Sequence, residues 1–262
     1  MNTPAFRFAH HLAIVLFAGL APCAGAQPVS VRGDTAVGEP GLMLREGTWN
    51  GDVGSYLVPA SLAGSPARTW PADGWHRLRL VGLTIQIEPV ITPPSARPAF
   101  LQAIVRSAET PGDQPVRNEP TDDALYLRVP GTKFIRGTIK PYLFKNGTPQ
   151  LSPKLDYRYE LKLGDVPFAF TVQNGLRGRN GEAYGDGAHY FIEYGGEKYA
   201  YSLDGFGWDS RIVAIADLDG DGKPDFVINV GGSNSGHEYL LLSSVAKAGR
   251  NPPTASLHSQ GC

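Results

Sequence analysis

Cysteine is almost absent from this chain: 262 residues hold two, Cys23 and Cys262. The first falls in the N-terminal leader described below, and the second is the last residue. Once the leader is removed, no internal disulfide can form. Cys262 then reads as a free thiol, or as one half of an intermolecular disulfide linking a dimer in an oxidising compartment. An excess of one charge is lacking too. Lys and Arg number 24 against 25 Asp and Glu, a formal charge of −1, which gives no reason to expect nucleic acid as a partner. Beyond the leader, no segment is apolar enough to span a bilayer. Familiar catalytic signatures are also missing. There is no His-Glu-x-x-His, and Gly231-Gly232-Ser233-Asn234-Ser235-Gly236 has the wrong order for a nucleophile elbow and reads as a hairpin loop. His76, His189, His237 and His258 each stand isolated in sequence, as surface or interface histidines do.

What is present begins with an export leader. Arg7, His10 and His11 precede an apolar run over 12–20. That length suits the core of a signal peptide and is too short to cross a membrane. Ala24 and Ala26 are small residues at the positions that signal peptidase reads, so cleavage before Gln27 is expected. Pro22 ahead of Cys23 spoils a lipoprotein cleavage box. Residues 1–26 are therefore read as a signal peptide and the protein as periplasmic or secreted. Loss of Arg7 takes the formal charge from −1 to −2.

Glycine at 32 residues and proline at 22 suit many short strands joined by tight turns. Asn-Gly pairs at 50–51, 146–147, 174–175 and 180–181 favour type I′ hairpin turns, whose two central residues need positive φ. Strands are expected over 78–87, 124–129, 138–144, 157–163, 167–172, 189–194, 198–203, 212–216, 226–230 and 238–242. The strictly alternating 157–163 marks a half-buried antiparallel strand. One short helix is expected behind Pro98, where Phe100, Leu101, Ile104, Val105 and Ala108 share a face. The fold class is all-β: an antiparallel sandwich, barrel or meander. Three prolines in 110–122 make that stretch the best candidate boundary, between an N-terminal β region at 27–109 and a C-terminal β domain at 123–262. Trp49, Trp70, Trp75 and Trp208 could form a sugar-binding platform, though core packing is the default for such residues. Arg32-Gly33-Asp34 is read as chance, and Asn146-Gly147-Thr148 as a turn before it is read as a glycosylation sequon.

The densest chemical signal is Asp217-Leu218-Asp219-Gly220-Asp221-Gly222-Lys223-Pro224-Asp225. Four carboxylates at alternating positions repel one another in a tight turn unless a cation joins them. Hard oxygen donors at this density suit Ca2+. The expected ligands are the side chains of Asp217, Asp219, Asp221 and Asp225 with the backbone carbonyl of Lys223. Gly220 and Gly222 supply the positive-φ positions of a tight wrap. The stretch opens like an EF-hand loop, but Ile228 stands where the closing bidentate Glu would be. Its flanks, Ile212-Val213-Ala214-Ile215-Ala216 and Phe226-Val227-Ile228-Asn229-Val230, read as buried strands.

This strand–loop–strand unit, with Phe206-Gly207 ahead of it, resembles the FG-GAP repeat of integrin-type propellers and of bacterial secreted proteins with repeats of the VCBS type. The resemblance covers about 205–230 in a single copy. It implies a calcium loop with ligands at Asp217, Asp219, Asp221 and Asp225. The resulting expectation is an exported, calcium-binding, β-rich protein, a non-enzymatic binding or envelope/cell-surface module. A secreted hydrolase acting on polysaccharide or peptide, with a structural calcium site, is the alternative.

Overall fold

Short alternating segments separated by glycine and proline give strands almost throughout. The computed structural model describes residues 41–49, 52–57, 71–91, 101, 124–177, 183–204, 209–232 and 235–260. The leader, the 110–122 stretch, Phe206-Gly207 and Cys262 lie outside the described residues. So does the expected helix apart from Leu101, which is helical and fully buried.

Six strands form the first sheet: β1 (Leu42–Trp49), β2 (Asp52–Leu57), β3 (His76–Val81), β4 (Thr84–Pro89), β5 (Ala124–Arg128) and β6 (Gly137–Ile139). Their order is β2-β1-β5-β3-β4-β6. Next in the chain come β7 (Arg158–Leu163), β8 (Val166–Arg177), β9 (Ala183–Tyr194), β10 (Glu197–Asp204), β11 (Asp209–Ala216), β12 (Asp225–Gly232) and β13 (Ser235–Leu241). A 3-10 turn at Ser243–Val245, β14 (Gly249–Asn251) and β15 (Ala255–Gln260) close the chain. A five-stranded sheet runs β14-β10-β9-β8-β7, and a four-stranded sheet runs β11-β12-β13-β15. Every described pairing between these strands is antiparallel except β10 with β14. No sheet closes into a barrel, and no described helix is long and apolar enough to cross a membrane.

The four-stranded sheet is the middle layer of three. One apolar cluster joins Met43, Leu78, Ile85 and Leu127 of the six-stranded sheet to Ala214, Ala216, Val227, Leu240 and Leu257 of the four-stranded one. A second joins Phe168, Phe170, Tyr190, Ile192 and Leu203 of the five-stranded sheet to Ile212, Ile215, Phe226, Ile228, Val230 and Leu241. Successive residues of β12 therefore serve opposite cores: Phe226 and Ile228 one, Val227 the other. A strand covered on both faces needs a continuous apolar run, which is why 226–230 shows so little polar alternation. By contrast β7, at the edge of its sheet, alternates exposed and half-buried residues along its whole length.

Several local expectations are corrected. The run 78–87 is a hairpin and not one strand: Val81 faces Thr84 across Gly82-Leu83. Gly82 has φ +59, the pattern of a two-residue turn with glycine first. Asn174-Gly175 is not a turn but lies within β8, where the register with β9 shifts between Asn174 and Leu176. Of the expected 138–144 strand only 138–139 is paired in a sheet, within β6. One sheet takes strands from both sides of 110–122, with β5 between β1 and β3. Trp75 is fully buried and its indole N–H donates to the Pro71 carbonyl at 2.7 Å, so it packs in the core and offers no platform.

Candidate metal centre

The Asp-rich loop is the connection between β11 and β12, the two strands buried on both faces. Their burial anchors the loop ends, and the loop folds by its own hydrogen bonds. Asp217 accepts from Gly220 N at 2.7 Å on Oδ1 and from Gly222 N at 3.1 Å on Oδ2. Asp219 Oδ1 accepts from Asp221 N at 3.3 Å, and Asp221 Oδ1 from Lys223 N at 2.8 Å. Gly220 and Gly222 have φ +82 and +81, a left-handed conformation that costs a residue with a Cβ. The loop winds back on itself because each carboxylate caps the backbone N–H groups two to five residues ahead.

Asp225 closes the loop. It is 0 % exposed. Its Oδ2 accepts from Leu218 N at 2.7 Å, and its Oδ1 from Ser243 N at 2.8 Å and the Ser243 hydroxyl at 3.0 Å. The neighbouring segment is tied in as well, since Ile135 N donates to the Leu218 carbonyl at 2.8 Å. From the other side the Ser243–Val245 turn covers the loop. Besides meeting Asp225, the Ser243 hydroxyl lies 3.0 and 2.9 Å from the two Asp221 carboxylate oxygens, and Ser244 donates to Asp219. A single hydroxyl proton serves one acceptor at a time, so Ser243 shares itself between Asp221 and Asp225.

Of the residues expected as ligands, the structure brings three together. Carboxylate oxygens of Asp217, Asp219 and Asp225 all lie within 4.8 Å of one another. Asp221 stands beside this triplet with its carboxylate turned to Ser243 and to the Lys223 ammonium, 3.5 Å away. The Lys223 side chain also lies 6.0 Å over the Tyr194 ring. Ser243 and Ser244 were not expected to take part. Their one legible signal was two hydroxyls immediately after the apolar run 238–242.

The electrostatics follow from crowding in a dry place. Burial, reinforced by Asp219, pushes the Asp225 carboxyl well above its ordinary range. Asp219 is pushed up by burial and then by Asp221 and Asp217, against the lowering effect of Ser244. Negative charge is thus concentrated where the protein's own donors do not balance it. The donor set, carboxylate oxygens alone with one of them wholly buried, fits a hard divalent cation.

Residues 211–246 match the FG-GAP repeat. No curated protein and no solved structure matches the chain. The match is a single copy. It begins at Arg211 and takes in the loop, β12, β13 and the Ser243–Val245 turn. It starts later than the 205–230 expected, leaving out Phe206-Gly207, and runs further at its C-terminal end, where it includes both serines that cover the loop. The matched stretch takes in most of β11 and all of β12 and β13, three of the four strands of the middle sheet.

Proposed function

We propose that this protein is an exported, β-rich, non-enzymatic binding module in which the 217–225 loop holds one Ca2+. The observation that carries the calcium reading is the convergence of Asp217, Asp219 and Asp225 on one point, with Asp225 fully buried. FG-GAP repeats are often calcium-binding and integrin-like, which supports the same reading, and the leader at 1–26 supports export. When bound, calcium would supply the positive charge that this cluster lacks. The chain's own part is to position the donors. Asp217 and Asp219 are shaped by the loop glycines and Ser244, and Asp225 is fixed by Leu218 and Ser243. Because β11 and β12 run side by side from the loop, each packed between two cores, holding the loop also holds their register. The role is structural: an ion that binds only the folded state stabilises it by mass action.

Calorimetry on the purified protein tests this. Calcium should bind with a dissociation constant on the order of 0.1–1 mM, in the range of extracellular modules, and magnesium more weakly because it demands stricter octahedral geometry. An Asp217→Asn/Asp219→Asn variant should lose the calcium heat. Absence of calcium binding to the unaltered protein, or unchanged binding by the variant, would count against the site.

A further inference from the structure

At the other end of β11 and β12 from the loop, the middle sheet carries a polar row on a face whose central row is apolar. Arg211 of β11 faces Asn229 of β12, and Asn229 faces Glu238 of β13. Further along the same face the corresponding row is Ala214, Val227 and Leu240. A β-bulge puts Arg211 there. The β11–β12 register shifts between Ile212 and Ala214. Val213 and Ala214 both pack toward the six-stranded sheet, while Ile212 and Ile215 enter the opposite core. If β11 ran through Val213 without the bulge, strict alternation would turn Arg211 to the other face.

The polar row lines a cavity of about 390 Å³ between the middle and six-stranded sheets. Its opposite wall is apolar, formed by Leu78, Leu80, Ile85 and Leu125. Arg45 of β1 reaches across and pairs with Glu238, which offsets that carboxylate. Arg211 is exposed, and it has no ion-pair partner among the described residues. The cavity thus combines an apolar wall, two amides (Asn229 and Gln150) and one guanidinium without a counter-charge. Its volume is at the small end of ligand pockets, too little for a folded partner or a long chain.

We propose that this cavity binds a small organic acid. The Arg211 guanidinium takes the carboxylate, in the bidentate geometry that arginine favours, and the Leu78, Leu80 and Ile85 wall takes a short apolar body. A neutral apolar ligand would leave Arg211 unused, and an inorganic anion would leave the apolar wall uncovered. The site shares no residue with the Asp cluster, so its failure leaves the calcium reading untouched, and the reverse also holds.

Calorimetry on the full chain in calcium-containing buffer, with benzoate as probe and benzyl alcohol as its uncharged counterpart, tests the proposal. Benzoate should bind at least about tenfold more tightly than the alcohol, and Arg211→Gln should remove at least about tenfold of the benzoate affinity, the scale of one charge-assisted contact. Because Arg211 is exposed, the variant should keep the melting temperature of the parent protein. Val213→Phe, which fills the cavity from a partly buried position, should weaken both probes. Equal affinity for acid and alcohol, unchanged benzoate binding by Arg211→Gln, or no benzoate binding up to about 10 mM would overturn the proposal.

Discussion

The two ends of the β11–β12 pair hold charge in opposite ways. At the loop end, four aspartates lie within nine consecutive residues, and three of their carboxylates converge with no ion-pair partner among the described residues. At the other end, Arg211, Asn229 and Glu238 come from three strands, and Arg45 arrives from another sheet to meet Glu238. The first cluster is local and like-charged, so it needs a partner from outside. The second is assembled by register and mixed in sign, so it is partly self-compensating and leaves one guanidinium over. Like charges gathered by a short loop point to an ion. Opposite charges gathered by a sheet point to a positioned face, with any ligand taking what remains unpaired.

The sharpest way to break this comparison is to exchange two neighbours, Arg211→Ile with Ile212→Arg. Position 212 faces the five-stranded sheet, so the guanidinium would enter that core and the isoleucine would leave it. Burying an unpaired guanidinium while losing an apolar side chain should cost more than about 4 kcal/mol. Urea denaturation measures it, and an exchanged protein as stable as the parent would show that the register does not set the face. Next in size is Asp225→Ala. It leaves Leu218 N and Ser243 N without their acceptor, while the Ser243 hydroxyl keeps Asp221, and should cost about 3 kcal/mol in calcium-free buffer. A loss much smaller than that would mean that relief of repulsion from Asp219 outweighs the lost bonds.

Calcium itself should have a smaller effect. At about 10 mM, with a dissociation constant near 0.3 mM, it should add about 2 kcal/mol. The fold should survive chelation, because β11 and β12 are buried in apolar layers with or without the ion. Circular dichroism with added chelator decides this, and wholesale unfolding would make calcium a requirement for folding. The smallest change is expected for Arg211→Gln, within about 0.5 kcal/mol of the parent, since an exposed side chain without an ion-pair partner supports nothing else. A large loss of stability there would mark Arg211 as structural and blur the contrast between the two ends.

Much of the middle sheet was legible because its signals are local. Ile212-Val213-Ala214-Ile215-Ala216 and Phe226-Val227-Ile228-Asn229-Val230 are short β-branched runs, and both became strands buried on two faces. The Gly231–Gly236 stretch was expected as a hairpin loop, and Gly232 does face Ser235 there. Other signals were overridden. Asn174-Gly175 favours a turn, yet pairing along the whole length of β8 and β9 keeps it in a strand and absorbs the mismatch as a register shift. In 78–87 the hydrophobic period hid the turn at Gly82-Leu83, because the two hairpin arms happen to continue one pattern. The strands β14 and β15 gave little signal. Gly249–Asn251 and Ala255–Gln260 are largely polar or small, and they are strands because β10 and β13 have edges to pair with.

The sequence by itself determined that the chain is all-β and that one loop gathers aspartates. Both depend on residues close together: alternation within a strand, and repulsion within nine residues. Only the tertiary structure decided that β5 sits inside the N-terminal sheet, that Ser243 and Ser244 cover the acidic loop, and that Arg211 meets Asn229, Glu238 and an apolar wall. Those contacts join residues far apart in the chain, and they depend on which face each strand turns inward. Strand register decides that face, and the bulge at Val213 keeps Arg211 on the same side as Ala214.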